Sequence, residues 1–270
     1  MPRLAVLGYP VSHSRSPAMQ NAALKALGLD HEWSYGAIEV PPEGFEEQVR
    51  KLAASGEYRG LNITVPHKEA ALRVATTPTR EALAIGAANT LVFDGMAIEA
   101  HNTDVGGLIG ALKGIAAPRG RRALVLGAGG ASRAAIWALS QSGAVVDVEL
   151  GVDVWNRSFE RAERVAAELG GAPVPSPLVR SYGIVVNTTT VGLRGEDPFK
   201  YLPLGYGFDS EQVVVDMVYG KDRTPLLAAA DEAGATTVDG LEILVQQGAR
   251  SLEIWTGCEP DLDVMREAAR

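Results

Sequence analysis

Two short polar segments carry the residue types that could move a proton. They are Asn62-Ile63-Thr64-Val65-Pro66-His67-Lys68 and Asn102-Thr103-Asp104, and each sits where a strand-like run ends. A lysine just beyond a strand-ending proline, set against an aspartate that opens a helix, could form a buried ammonium–carboxylate pair. Such a pair can carry a proton in the reduction of a ketone. Taken singly, each residue has a plainer reading: Lys68 as a solvated lysine at a helix start, and Asp104 as an N-cap. Local sequence leaves both readings open.

A third segment, Gly127-Ala128-Gly129-Gly130-Ala131-Ser132, suits a phosphate. It follows the apolar run Ala123-Leu124-Val125-Leu126 and opens an alanine-rich helix, the context that gives a glycine pattern its weight. Gly127 permits the tight turn, and Gly129 lacks the Cβ that would keep a pyrophosphate away. The helix start then offers free N–H groups and a partial positive charge. Ser132 stands where a third glycine or alanine is usual, so the strand–helix contact has to accommodate a hydroxyl.

In a dinucleotide fold the second strand ends at the adenosine ribose. An acid there binds the 2′-hydroxyl of NAD, whereas arginine accommodates the 2′-phosphate of NADP. Here Val152-Asp153-Val154-Trp155 leads into Asn156-Arg157-Ser158, with Arg161 one helical turn later. Asn156 takes the acid's place, and two guanidinium groups can grip a phosphate. The expected cofactor is therefore NADP. The spacing from Gly127 to Asn156 exceeds the usual ~20 residues. Val145–Gly151 reads as an insertion, either a longer loop or an extended strand with a bulge.

The elements that must position these groups follow from the hydrophobic pattern. Short apolar runs alternate with helical ones, which predicts parallel sheets with crossover helices. Strands are expected at Leu4–Leu7, His31–Glu39, Leu61–Val65, Val152–Trp155, Ile184–Asn187 and Val213–Asp216. Thr90–Phe93 and Ala97–Ala100 flank Asp94-Gly95, a hairpin turn signal. Helices are expected from Ser16, read as an N-cap before Pro17, to about Leu27, and over Phe45–Ala54, Lys68–Val74, Ala82–Ile85, Pro225–Ala233, Glu242–Trp255 and Leu262–Ala269. Ala117-Pro118-Arg119-Gly120 is the best internal boundary.

Composition narrows the function. A net charge of −8 argues against a nucleic-acid partner, which needs a basic surface. It also means that anionic ligands have to be gathered by local cations and N–H groups. No apolar run reaches the ~18–20 residues needed to span a bilayer. The single cysteine, Cys258, suits a reducing cytoplasm and has no ligand or base beside it. His13, His31, His67 and His101 lack ligand spacing, so no metal is expected.

Together these segments, in this order and over nearly the whole chain, resemble the shikimate dehydrogenase family. Ser14-Arg15-Ser16-Pro17 is similar to its substrate loop. Asn62–Lys68 is similar to its Asn-x-Thr-x-Pro-x-Lys segment, Gly86-Ala87-Ala88-Asn89-Thr90 to Gly-Ala-x-Asn-Thr, and Asn102–Asp104 to Asn-Thr-Asp. Gly127–Ser132, Asn156–Ser158, Asn187-Thr188-Thr189 with Gly192, Asp216-Met217-Val218-Tyr219, and Asp239-Gly240-Leu241 with Gln247 complete the set. Ser158 replaces a more usual threonine. Tyr9 stands where the family often has a small polar residue, and Ile243 where it often has methionine.

The resemblance implies an α/β fold of two lobes. Residues 1–103 and 240–270 would form a mostly parallel substrate-binding and catalytic domain, to which the C-terminal helices return. Residues 104–239 would form a Rossmann-type NADP-binding domain, with the reaction in the cleft between. It implies Lys68 and Asp104 as the catalytic pair. Ser14 and Ser16 would hold the substrate carboxylate with Tyr219 nearby, and Asn62, Thr64, Asn89 and Gln247 would line the pocket. Gly127, Ala128, Gly129, Gly130, Ala131, Ser132, Asn156, Arg157, Ser158, Arg161 and Thr188 would hold NADP, with Met217 and Gly240 packing around the nicotinamide. The implied reaction is reversible NADPH-dependent reduction of 3-dehydroshikimate to shikimate in aromatic amino-acid biosynthesis, by a cytoplasmic monomer or homodimer without nucleic-acid or membrane partners. The alternatives are a quinate/shikimate dehydrogenase using NAD(P) and a non-catalytic dinucleotide-sensing module.

Overall fold

Leu4-Ala5-Val6-Leu7 is apolar at successive positions because its strand is covered on both faces. Every residue of β1 (Arg3–Gly8) after the first is buried. The computed structural model describes residues 2–115, 121–140, 151–205, 207–220 and 222–270. The boundary read at 117–120 and residues 145–150 of the insertion lie outside the described residues.

After β1 come α1 (Ser16–Ala26), β2 (Ser34–Glu39), α2 (Phe45–Ser55), β3 (Tyr58–Ile63), α3 (Lys68–Val74), β4 (Thr77–Pro78), α4 (Arg80–Ile85), β5 (Thr90–Asp94), β6 (Ala97–His101) and α5 (Asp104–Leu112). The chain continues through β7 (Arg122–Leu126), α6 (Gly130–Ser140), β8 (Val152–Trp155), α7 (Phe159–Leu169), β9 (Ala172–Pro173), β10 (Tyr182–Asn187), α8 (Pro198–Tyr201), β11 (Val213–Asp216), α9 (Pro225–Glu232), β12 (Thr236–Asp239), α10 (Gly240–Thr256) and α11 (Leu262–Ala268). It divides into two compact units, one running to Gly107 and resuming over Leu244–Arg270, the other Leu108–Ile243.

The first unit is built on a six-stranded sheet ordered β2-β1-β3-β5-β6-β4. Strands β2, β1 and β3 are parallel, and β5 runs antiparallel to both β3 and β6. Asn62 therefore lies opposite Thr90, and Thr90 opposite His101. The ends of β1, β3 and β6 and the start of β5 share one edge, which gathers the polar segments that follow them. Phe45, Val49, Leu52, Ala71 and Val74 pack with Leu7, Leu61, Leu91 and Phe93 in one buried cluster. Each large side chain there contributes about 1.5–3 kcal/mol by leaving water. Helix α10 is pinned to this unit by Trp255, whose Nε1 donates to the Leu91 carbonyl at 2.9 Å.

The second unit has a wholly parallel sheet ordered β12-β11-β10-β7-β8-β9. Counted within the unit from its first strand, β7, this is the 3-2-1-4-5-6 order of doubly wound dinucleotide folds, with its reversal between β7 and β10.

Several local expectations need correction. Ser16 is not the N-cap of α1. The Arg15 carbonyl accepts the first helical bond, from Met19 N at 3.1 Å, which makes Arg15 the cap and Ser16 the first helical residue. The hairpin turn is centred on Gly95-Met96, because Asp94 still pairs with Ala97, and Gly95 takes φ 60°. Strand β3 spans Tyr58–Ile63 rather than Leu61–Val65. Val65 is exposed, and proline at 66 has no N–H to continue a ladder. Strand β2 starts at Ser34 rather than His31, since Leu29 to Trp33 form turns.

Candidate active site

At the gathered edge of the first sheet, Lys68 is the first residue of α3 and Asp104 the first of α5. Lys68 Nζ donates to Asp104 Oδ2 at 2.6 Å, with the two side chains 13% and 10% exposed. The plain readings of both residues therefore fail. Lys68 is not solvated, and Asp104 does not cap α5, because the Thr103 carbonyl accepts from Gly107 N at 2.9 Å. The carboxylate is held instead by two side chains. Its second oxygen accepts from Asn89 Nδ2 at 3.0 Å. Its backbone N–H donates to Asn102 Oδ1, and Asn102 Nδ2 reaches the Ala87 carbonyl at 2.9 Å.

Behind the pair lies a polar network. Asn89 Nδ2 also lies 3.0 Å from Gln247 Oε1 and 2.9 Å from Thr103 Oγ1. Asn62 Nδ2 donates to Ser251 Oγ at 2.9 Å, and Asn62 Oδ1 accepts from the Tyr35 hydroxyl at 2.7 Å. Asn62, Asn89, Thr90, Thr103, Gln247 and Ser251 are all buried. Burial is tolerable because each polar group finds a partner. Ser251 and Tyr35 were not picked out from the sequence, although the spacing of Ser251 from Gln247, one helical turn on the same face, is a readable signal.

Thr64 follows β3 at this edge, half-buried, with its N–H donating to the Leu7 carbonyl. Ser14 and Ser16 follow β1. Ser16 N donates to Ser14 Oγ at 3.3 Å, and the intervening Arg15 guanidinium donates to the carbonyls of Ala269 and Arg270. His67 is buried, stacked on Phe45, with Nε2 at 2.7 Å from the Val40 carbonyl. Its environment lowers its proton affinity, chiefly through burial.

The second unit holds the other cluster. Gly127 has φ 121°, and a Cβ there would lie 2.5 Å from Thr188 Oγ1 and 2.9 Å from Ser132 Oγ, so only glycine fits. The Thr188 hydroxyl donates to the Leu126 carbonyl at 2.7 Å, which leaves the Ser132 hydroxyl to donate to Thr188 Oγ1 at 2.6 Å. Ser132 Oγ in turn accepts from Gly129 N at 3.0 Å. The hydroxyl that replaces a small residue thus fastens the glycine turn to the loop after β10. A Cβ on Gly129 would meet nothing within 4 Å, which leaves open space over the turn and the start of α6.

At the end of β8, Asn156 Nδ2 donates to the Ser158 carbonyl at 3.0 Å, and Ser158 Oγ donates to Glu160 at 2.9 Å. Backbone N–H bonding, helped by that hydroxyl, holds the Glu160 carboxyl below the usual range. Arg157 and Arg161 are exposed and their guanidinium groups make no hydrogen bond or ion pair among the described residues. This donor set fits a phosphorylated dinucleotide: an open glycine turn at a helix start, and two uncommitted cations one strand away. Met217 N donates to the Asn187 carbonyl at 2.9 Å, and Tyr219 follows on the same loop. Gly240 lies so close to this loop that a Cβ would be 2.6 Å from the Met217 carbonyl oxygen.

Asp216 anchors that loop. Its carboxylate accepts from Asn187 Nδ2 at 2.9 Å, Val218 N at 3.1 Å and Thr224 Oγ1 at 2.7 Å. Burial pushes its carboxyl up to about 6 from 3.8, against the lowering effect of these donors. The folded form binds the proton more tightly than the unfolded one, so this group's contribution to stability falls as pH rises from about 4 to about 6 and is constant above. The shift corresponds to about 3 kcal/mol. Asp216→Asn is expected to flatten the dependence of melting temperature on pH across that window; an unchanged slope would remove Asp216 as its source.

Among the described residues, no group of three or more His, Cys, Asp or Glu could hold a metal ion, and no helix is long and apolar enough to cross a membrane. Two family models match the chain: the shikimate dehydrogenase substrate binding domain over residues 6–91, and the shikimate 5′-dehydrogenase C-terminal domain over residues 240–270. A shikimate dehydrogenase (NADP(+)) of Methanocella arvoryzae is 44% identical over 274 residues, covering 98% of this chain and 97% of the relative. The corresponding protein of Methanopyrus kandleri is 41% identical over 280 residues, covering 98% and 93%. The crystal structure of shikimate 5-dehydrogenase from Thermus thermophilus in complex with NADP(H) and shikimate superposes with a TM-score of 0.85 at 38% identity, covering 100% of this chain and 99% of that one.

Proposed function

The chain belongs to the shikimate dehydrogenase family, and on that premise we propose that it catalyses the reversible NADPH-dependent reduction of 3-dehydroshikimate to shikimate. The observation that carries this reading is the part-buried Lys68–Asp104 pair, 2.6 Å apart beside Asn89 and Gln247. The unit that runs to Gly107 and resumes over Leu244–Arg270 is assigned to substrate and catalysis, and Leu108–Ile243 to NADP.

Bound NADPH supplies the hydride to the carbonyl carbon. As negative charge develops on the carbonyl oxygen, the Lys68 ammonium stabilises it and delivers the proton. Asp104 holds the ammonium in place and offsets its charge while it waits. In the reverse direction neutral Lys68 accepts the proton from the substrate hydroxyl. Thr64, Asp104 and Gln247 read the ring hydroxyls, Asn89 holds Asp104 and Gln247 in place, and Asn62 lines the pocket. Sites of this kind reject analogues lacking a hydroxyl, because the buried polar groups are then left unpaired.

Ser14 and Ser16 hold the substrate carboxylate through their hydroxyls. A hydrogen bond to a charged group is worth about 1.5–3 kcal/mol, so Ser14→Ala is expected to raise the KM for shikimate about tenfold or more. The KM for NADP+ should stay within about twofold of its starting value. Unchanged affinity for shikimate would remove Ser14 from carboxylate binding. The lone Cys258 supports a cytoplasmic site of action.

The test is spectrophotometric: shikimate with NADP+, set against NAD+ in place of NADP+ and quinate in place of shikimate. Reduction of NADP+ by shikimate at a higher kcat/KM than either substitute is expected. No reduction of NADP+ by shikimate would overturn the reading, and equal rates with NAD+ or quinate would move it to a quinate/shikimate dehydrogenase.

A further inference from the structure

We infer that Thr103 is a positioning residue that orients the Asn89 amide between Asp104 and Gln247, so that its hydroxyl tunes the catalytic pair without touching substrate. The inference rests on the function proposed above and adds a residue to the machinery of that site.

Asn89 Oδ1 accepts from the Thr103 backbone N–H at 2.7 Å. That N–H can only donate, so it fixes which end of the amide is oxygen. Asn89 Nδ2 must then face the other way, where its two hydrogens are shared among three acceptors: Thr103 Oγ1 at 2.9 Å, and Asp104 Oδ1 and Gln247 Oε1, both at 3.0 Å. The amide is thus polarised from both ends. Its donation to Asp104 Oδ1 complements the bond from Lys68 to Asp104 Oδ2.

The Thr103 hydroxyl closes this arrangement. Its Oγ1 lies 2.9 Å from Asn89 Nδ2, 3.2 Å from Asn89 Oδ1 and 3.4 Å from Gln247 Oε1. It also contacts Ser251 Oγ at 3.1 Å and Thr90 Oγ1 at 3.3 Å. Thr103 is buried, and its hydroxyl is enclosed by Asn89, Thr90, Gln247 and Ser251. Ser251 Oγ donates to the Gln247 carbonyl at 3.0 Å, which carries the same network into α10. With Gln247 Oε1 engaged by Asn89 and Gln247 Nε2 donating to the Leu244 carbonyl at 3.0 Å, the remaining Nε2 hydrogen is the group Gln247 can offer a substrate hydroxyl.

Thr103→Val keeps the shape and the backbone N–H and deletes only the hydroxyl, so folding is expected to survive. Loss of the nearest acceptor of Asn89 Nδ2 predicts a fall in kcat/KM for shikimate of about tenfold. The KM for NADP+ should change less than about twofold, and Thr103→Ser should restore most of the loss. In a double-mutant cycle, adding Thr103→Val to Asn89→Ala should cost less than about twofold more. Crystal structures of the unaltered chain and Thr103→Val supply a readout that needs no turnover: in the variant Asn89 Oδ1 should stay on the backbone N–H of position 103, while Asn89 Nδ2, without its nearest acceptor, should move off Asp104 Oδ1. Wild-type kinetics in Thr103→Val, additive losses in the cycle, or an Asn89 Nδ2 that stays on Asp104 Oδ1 would each overturn the inference. If the unaltered chain itself fails to oxidise shikimate, the proposed function fails instead, and the position of Asn89 in the two structures still decides the role of Thr103.

Discussion

Lys68→Ala is expected to lower kcat for shikimate oxidation about 10²- to 10⁴-fold, the range lost when a positioned acid–base group is removed. The expectation follows from geometry. Lys68 Nζ is 2.6 Å from Asp104 Oδ2, and the pair sits at the sheet edge shared by Asn62, Thr64 and Asn89. The KM for shikimate should change far less than kcat, because the ammonium's strongest interaction is with charge that appears only in the transition state. Removing one member of a part-buried pair also costs stability, up to the ~3–5 kcal/mol of a fully buried one. A thermal melt and the KM for NADP+ are therefore read alongside, to separate a misfolded variant from a chemically impaired one. A folded Lys68→Ala protein with near-normal kcat would exclude Lys68 from proton transfer.

Arg157→Asp carries the second large effect. Arg157 and Arg161 stand just beyond β8 with no side-chain partner among the described residues, and Asn156 stands where an acid would select NAD. A charge-assisted bond to a phosphate is worth about 1.5–3 kcal/mol. The new carboxylate adds repulsion beside Glu160, whose ionised form is already favoured. We expect the KM for NADP+ to rise by about tenfold to a hundredfold. The KM for NAD+, which has no 2′-phosphate, should move less than about twofold, and added salt should narrow the contrast. Equal changes with both cofactors would refute the 2′-phosphate assignment.

The fold was most legible where local signals coincide with long elements. Strand β7, the glycine turn and α6 follow from an apolar run, three glycines and an alanine-rich stretch, and α3 and β11 have the limits the pattern predicts. Strands β4 and β9 escaped because each is two residues held by register with a neighbour, which leaves no periodicity to read. The hairpin turn shifted by one because Asp94 can serve either as a turn residue or as a strand end, and only its pairing with Ala97 decides.

The candidate site divides in the same way. Lys68 and Asp104 were legible as residue types and as a candidate pair, but local sequence left each open to a plainer reading at a helix start, and only the fold decides between them. The antiparallel register of β3 with β5 and of β5 with β6 joins them through Asn89. The Thr103 hydroxyl, inside a segment that was singled out, and Ser251 were given no role for a related reason. Their hydroxyls face inward among partners drawn from distant parts of the chain, and the one-turn spacing of Ser251 from Gln247 is the only local hint of that network.

A crystal structure of the chain with shikimate and NADP+ measures the essential point. The ring hydroxyl to be oxidised should lie about 2.6–3.2 Å from Lys68 Nζ, with the ring carboxylate on the hydroxyls of Ser14 and Ser16. Shikimate bound away from Lys68 and Asp104, or bound there with that hydroxyl turned from both, would contradict the role given to the pair.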